Sequence, residues 1–310
     1  ERIGAVHAPA APPPPPPPAD PPPPPCPKCG NTWMMNILHQ LRVAENHTLA
    51  EEFVDILDVT PWPILRYKIG DSVKDTMSAI ESKSEWWNNE KYPYRAFKIQ
   101  SVPSDTPIQR FAGDSGALLP YVPFLKYVVV VRNPYEQFES ALHFFSSLNP
   151  EMNSLFKFPS MPLRMMVPFL MESPLNAAHY LNGWSHHFDK DNVFLVHFAD
   201  LKSEPEKWVR RIADFLEVEV PDQHWPDVLR RVSFKWMKEH SDKFLYRRPD
   251  GLTLTTQVVR TGKSGGKFSL ATDEEIAALK AKLELNVPPA LLDFAIHGGE
   301  ERRRKVLGHD

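Results

Sequence analysis

From Asn31 onward the apolar positions of the chain follow two periods. Trp33, Met34, Ile37, Leu38 and Leu41 recur at three- and four-residue spacing, which predicts an amphipathic helix. Residues 95–100 form a short strand candidate. Tyr127 is followed by four valines, an unbroken run of the kind buried on both faces of a parallel sheet. The run stops at Arg132-Asn133-Pro134, and a helix over about 135–145 is expected next. Residues 193–198 predict another strand. Ser203 reads as the cap of a helix that has Pro205 near its first position and a stripe of Trp208, Ile212, Phe215 and Leu216. A last helix is expected over about 273–285. Strands alternating with helices specify an α/β fold with a central, mostly parallel sheet and right-handed crossovers. Ligands in such folds sit beyond the carboxyl ends of the strands, so the strand–loop–helix junctions are where chemistry is expected.

Proline changes this picture at one end. Of 33 prolines, 14 lie in the first 27 residues, with unbroken runs at 12–18 and 21–25. Such runs favour an extended polyproline II rod. Residues 1–27 are therefore read as a proline-rich disordered arm, either a plain spacer or a ligand for a partner of the SH3 or profilin type. Residues 28–296 form one α/β domain, and 297–310 a charged tail. The rest of the 310-residue chain has ordinary globular composition, 42% hydrophobic and 24% charged, with a formal net charge of -3. That balance does not suggest nucleic acid or an anionic membrane as partner, so an anion site must be a local cluster of basic groups. The two cysteines, Cys26 and Cys29, are too few for a disulfide framework and fit a reducing compartment. The sequence has no apolar run long enough for a transmembrane helix, and Glu1-Arg2 opens no apolar signal region, so a cytoplasmic protein is expected.

Three junctions carry candidate chemistry. The first is Pro27-Lys28-Cys29-Gly30-Asn31-Thr32-Trp33, a glycine-bearing loop leading into a helix, where free backbone amides and a lysine suit a phosphate. It is not a Walker A loop, because its lysine precedes the glycine. The plainer reading is a helix cap with a surface lysine. Cys26-Pro27-Lys28-Cys29 is also half of a zinc ribbon, but no second cysteine pair completes it, and no metal is expected. The second junction is Arg132-Asn133-Pro134, with Ser140 two helical turns on; the two side chains can converge on a small anion, which Arg grips bidentately. The third is the glycine-rich basic stretch from Arg260-Thr261-Gly262 to Lys267, a candidate loop for closing over a phosphate.

The three together, in this order, resemble the cytosolic sulfotransferases, which use 3′-phosphoadenosine-5′-phosphosulfate (PAPS) as co-substrate. That family carries a P-K-S-G-T-T-W loop, a strand ending in R-N-P with a serine eight residues on, and a late R-K-G-x-x-G-D-W-K segment. Smaller likenesses are Val59-Thr60-Pro61-Trp62, Phe198-Ala199-Asp200-Leu201-Lys202 and Ser233-Phe234-Lys235-Trp236-Met237-Lys238, so the similarity spans about residues 28–294. The resemblance implies a single-domain sulfotransferase fold with a P-loop-like phosphosulfate-binding loop, and sulfuryl transfer to a hydroxyl or amine of a small-molecule acceptor. It implies that Lys28 neutralises the leaving phosphate and that the amides of Cys29, Gly30, Asn31 and Thr32 hold the 5′-phosphate. Trp33 and Phe234 would flank the adenine, with Phe198 where the family has a tyrosine. Arg132, Ser140, Arg260, Thr261 and Gly262 would surround the 3′-phosphate.

Two departures bear on activity. Where the family has the histidine base of K-T-H-L-P, this chain reads Lys98-Ile99-Gln100-Ser101-Val102-Pro103. Lys98 matches, and Gln100 or Ser101 holds the histidine's place. Gln cannot accept the acceptor's proton, a loss typically worth about 10²–10⁴ in rate. His143 is the alternative base, and a non-catalytic nucleotide binder or a proline-rich interaction protein is the alternative function. The second departure is that prolines precede the first loop, so the usual first strand cannot form from them. Either another segment fills that slot or the sheet is deficient. Residues 156–170 form either a lid over the acceptor pocket or a packing loop.

Overall fold

The computed structural model describes residues 28–63, 65, 72–99, 102–103, 121–149, 177–248, 251–262 and 270–308. Five helices come first: α1 (Asn31–Arg42), α2 (His47–Glu51), α3 (Ile56–Val59), α4 (Val73–Glu81) and α5 (Ser84–Trp87). Strand β1 (Tyr127–Val131) leads into α6 (Pro134–Ser146), and α7 (Ala177–Ser185) precedes strand β2 (Val193–His197). Then follow α8 (Phe198–Ser203), α9 (Pro205–Leu216), α10 (Trp225–Val232), α11 (Phe234–Glu239), α12 (Asp273–Asn286), α13 (Pro289–His297) and α14 (Glu300–Val306).

β1 and β2 pair in parallel, Tyr127 opposite Val193 and Val131 opposite His197. Side chains alternate across the pair, so each face feeds a different apolar cluster. Val129, Val131, Val193 and Leu195 join the cluster that holds Phe138 and Leu142 of α6 and Phe294 of α13. Val130, Phe194 and Val196 join Met34, Ile37 and Leu41 of α1, Trp208 and Ile212 of α9 and Val228 of α10. The α/β reading and the valine run as a doubly covered parallel strand both hold. α1 is fastened at two points to α10: Trp33 Nε1 donates to the Val232 carbonyl (2.7 Å) and Asn36 Nδ2 to that of Arg231 (2.9 Å).

Both strand ends are also latched from behind. Imidazole Nε2 of His197 lies 3.0 Å from the Ala295 carbonyl, Asn133 Nδ2 donates to that of Ile296 (3.1 Å), and the Gly299 amide donates to Asp200 (2.8 Å). Asn133 has a second task. Its Oδ1 caps α6 by accepting from the amides of Tyr135 and Glu136, while Pro134 supplies the first helical position.

Several expectations are corrected. Residues 95–99 alternate buried and exposed as a strand would, yet they sit in no ladder among the described residues; the Lys98 amide donates to the Pro61 carbonyl instead (2.8 Å). The second strand ends at His197, and Phe198 begins a helix, because His197 caps it by accepting from the Ala199 amide. Ser203 closes that helix, its hydroxyl donating to the Asp200 carbonyl, and so does not cap α9, which starts directly at Pro205. Residues 273–285 do form a helix, but two more follow. α14 lies in the segment read as a charged tail, and its Arg303 is buried, donating through Nε to the Leu195 carbonyl (2.8 Å). The proline-rich arm and the 156–170 segment lie outside the described residues. Among the described residues no helix is long and apolar enough to cross a membrane.

Candidate anion and acceptor site

The three junctions meet. Gly30, at the start of α1, adopts φ 109, and a Cβ there would sit 2.7 Å from the Phe198 ring. Only glycine allows both the turn and that close approach. Lys28 is left-handed too, with φ 77, an uncommon conformation for a residue with a side chain and one often tied to binding loops. Its main-chain carbonyl accepts from Arg132 Nη1 at 3.1 Å, which joins the first junction to the second. Arg132 is braced along α6 by Glu136 (Nε–Oε2 3.3 Å) and lies 4.6 Å from the centre of the Phe198 ring. Phe198 meets Trp33 edge to face at 5.6 Å. The third junction closes against α11. Gly262 adopts φ 62, and a Cβ there would fall 2.6 Å from the ring of Phe234. Lys238 of α11 anchors the same stretch by donating to the Val259 carbonyl (2.8 Å).

Between these groups lies a cavity of about 210 Å³. It is lined by Lys28, Arg132, Ser140 and Arg260, with Trp33, Phe198 and Phe234 also in its wall. Gly30, Asn31, Thr32, Thr261, Gly262 and Lys98 line it as well. Of the residues singled out by sequence, Cys29 does not line the cavity; it is buried beneath it. Gln100 and Ser101, and the closing-loop residues 263–267, lie outside the described residues. Cys29 is also disulfide-bonded, contrary to the expectation of reduced thiols. A sulfur held in a disulfide is withdrawn from metal binding. His143, the alternative base, pairs with Glu139 (3.3 Å) and does not line the cavity.

The cavity brings several buried cations close together. Burial, then the neighbouring Arg132 and Arg260, bring the Lys28 ammonium down to about 8. Burial and then Lys28 hold Lys98 well below the usual lysine range, against a smaller opposing pull from Asp55. Burial lowers Arg132 as well, with Glu136 pulling the other way. Several cations crowd one cavity and depress each other, a penalty that a polyanion would relieve.

Residues 26–280 match the sulfotransferase domain. The chain belongs to the sulfotransferase family. Relatives include sulfotransferase 2A2 of Mus musculus, 23% identical over 274 residues that cover 86% of this chain and 85% of the relative. Sulfotransferase 2A1 of Mus musculus is 24% identical over 175 residues, 54% of this chain, and the match spans only 60% of that relative's length. Among solved structures, mouse sulfotransferase SULT7A1 complexed with PAP is similar at TM-score 0.52 and 17% identity, over 92% of this chain and 85% of that one. Retinol dehydratase in a complex with retinol and PAP is similar at TM-score 0.57 and 12% identity, over 85% and 80%. The fold is the sulfotransferase fold.

Part of the cavity lining was not legible as a site. Phe144, Tyr246 and Leu254 line it without belonging to any motif read from sequence. Tyr246 is held at φ 60, with its hydroxyl 2.5 Å from Thr32 Oγ1. A positive φ on tyrosine leaves no trace in composition or periodicity.

Proposed function

We propose that this protein binds PAPS and transfers its sulfuryl group to a hydroxyl or amine of an apolar small molecule. The observation that carries this is the convergence of Lys28, Arg132 and Arg260 on one cavity whose neighbouring walls are the faces of Trp33, Phe198 and Phe234. A nucleoside bisphosphate has that same pairing of flat base and separated charges. In this reading the amides of the 28–32 loop and the dipole of α1 hold the 5′-phosphate. Arg132, Ser140 and Arg260 take the 3′-phosphate, and Trp33 with Phe234 flanks the adenine. Lys28 neutralises charge that grows on the bridging oxygen as the sulfur leaves. Such transfer is mostly positioning plus charge stabilisation of an in-line displacement. The acceptor is taken against the apolar part of the lining, which includes Trp62, Phe144 and Tyr246.

A second reading is a nucleotide binder that does not turn over, favoured by Gln100-Ser101 standing where the family has its histidine. Calorimetry with adenosine 3′,5′-bisphosphate, followed by single-turnover transfer from PAPS to phenol, separates the two. Binding with transfer supports the enzyme, binding alone supports the second reading, and no binding defeats both.

A further inference from the structure

The lining of the cavity is uniform in sign. Among the described residues it carries five cationic side chains, Lys28, Lys98, Arg132, Lys202 and Arg260, and no Asp or Glu. PAPS brings about four negative charges, roughly two on the 3′-phosphate and two on the phosphosulfate. One positive charge therefore stays over with the co-substrate bound, even before the dipole of α1 is added. Lys28, Arg132 and Arg260 go to the phosphates in the reading above, and Lys202 is exposed to water. The charge left without a counterpart is Lys98.

Lys98 is buried, at 4% exposure, and makes no ion pair among the described residues. Its Nζ lies 3.6 Å from the centre of the Trp62 ring and 4.1 Å from that of Tyr246, a seat that favours an ammonium. Two rings do not replace the water such a charge has lost, and burial and then Lys28 still penalise it. Asp55, the carboxylate that pulls on it, lies outside the lining, and burial raises that group to about 7, so it is only a partial counter-charge at neutrality. Trp62 and Tyr246 are also two of the three residues against which the acceptor is taken, so the ammonium adjoins the acceptor's place.

We infer that the acceptor is itself an anion, a phenol that also carries a carboxylate, and that Lys98 is the residue that selects it. The inference rests on the PAPS-dependent reading above. The carboxylate supplies the counter-charge that Lys98 lacks, through a charge-assisted hydrogen bond. The same surplus of positive charge repels a protonated amine, and a neutral alcohol leaves it unpaired. A phenol is called for because Gln100-Ser101 stands where the family has its histidine. A hydroxyl with a pKa of about 10 gives up its proton far more readily than an aliphatic one. In the step, the phenolic oxygen bonds to sulfur as the bond from sulfur to the bridging phosphate oxygen breaks, and the phenolic proton passes to water. The products are the aryl sulfate and adenosine 3′,5′-bisphosphate, and the carboxylate is unchanged.

The test varies charge alone. The compounds 3-(4-hydroxyphenyl)propionate, 4-ethylphenol and tyramine share one phenol and one two-carbon arm, and at about pH 7.5 they are an anion, neutral and a cation. Their affinities are to be measured by calorimetry on the full chain saturated with adenosine 3′,5′-bisphosphate, which needs no turnover. The propionate should bind at least about tenfold more tightly than 4-ethylphenol, with tyramine weakest. Lys98→Met should bring the propionate level with 4-ethylphenol, and Lys98→Arg should keep part of the preference. A parent that binds 4-ethylphenol or tyramine as tightly as the propionate overturns the inference, even if Lys98→Met fails to fold. Equal losses on all three compounds in Lys98→Met would leave Lys98 a packing role and overturn it too. A parent that binds no bisphosphate would instead bring down the PAPS reading itself.

Discussion

Arg132 donates from its guanidinium to the main-chain carbonyl of Lys28, 104 residues away, across 3.1 Å. One side chain thus holds the left-handed turn of the loop through Nη1 while its Nε is braced by Glu136. Arg132→Lys cannot do both, since a single ammonium replaces a planar fork. Both Arg132→Ala and Arg132→Lys are expected to weaken adenosine 3′,5′-bisphosphate binding, the alanine by ~2–4 kcal/mol. Calorimetric affinities equal to the parent's would refute the assignment of Arg132 to phosphate.

Gly262 supplies the second expectation. Its φ of 62 costs a side-chain-bearing residue about 1–2 kcal/mol, and a Cβ would meet the Phe234 ring at 2.6 Å. Gly262→Ala should therefore lower the urea midpoint modestly and displace the ring. Bisphosphate affinity should fall more than tenfold, while Phe234→Ala in the same background adds little further loss. Additive losses would show that the two residues act apart.

Lys28 links binding to protons. At about 8 in the free protein it is partly neutral above that pH, and an incoming phosphate restores its charge. Bisphosphate binding near pH 8 should take up protons, seen as a dependence of the calorimetric heat on buffer ionisation enthalpy, and Lys28→Met should abolish the uptake. The unfolded chain keeps its proton to about 10.4, so it binds more protons than the folded one between the two values. Stability of the free protein should therefore rise with pH from about 8 to 10.4, and Lys28→Met should melt higher than the parent at pH 7. A lower melting temperature would contradict the picture of crowded cations.

Arg303 tests the C-terminal helix. Its Nε donates to the Leu195 carbonyl in the middle of β2, and its guanidinium lies 5.4 Å from the centre of the Phe194 ring. Arg303→Ala should cost ~2–3 kcal/mol in urea denaturation by stranding a buried carbonyl. A loss within about 0.5 kcal/mol would mean that α14 is only loosely attached.

Much of the frame was legible because its signals are local. Four valines after Tyr127 can hardly be other than a doubly buried strand, and Asn133-Pro134 starts a helix by its own hydrogen-bonding chemistry. Lys28, Arg132 and Arg260 were found as motifs, and their meeting around one cavity follows from the order of the junctions. What failed depends on partners far along the chain. Residues 95–99 alternate like a strand but find no neighbouring strand among the described residues. α14 is charged around its whole circumference, so no stripe announces it, and its burial becomes plain only when Arg303 meets Leu195. Tyr246 and Phe144 line the cavity through tertiary placement alone.

The latch at the back of the sheet bears on the timing of assembly. Asn133, which starts the helix after β1, and His197, which ends β2, bond to the carbonyls of Ile296 and Ala295. A chain emerging from the ribosome therefore carries every motif proposed above to bind phosphate before it carries the groups that fix the strand ends. Until residues 295–299 are made, the strand termini that carry Arg132 and Phe198 lack the bonds to Ala295 and Ile296. The nucleotide site proposed above should therefore become stable only after residues 295–299 have been made.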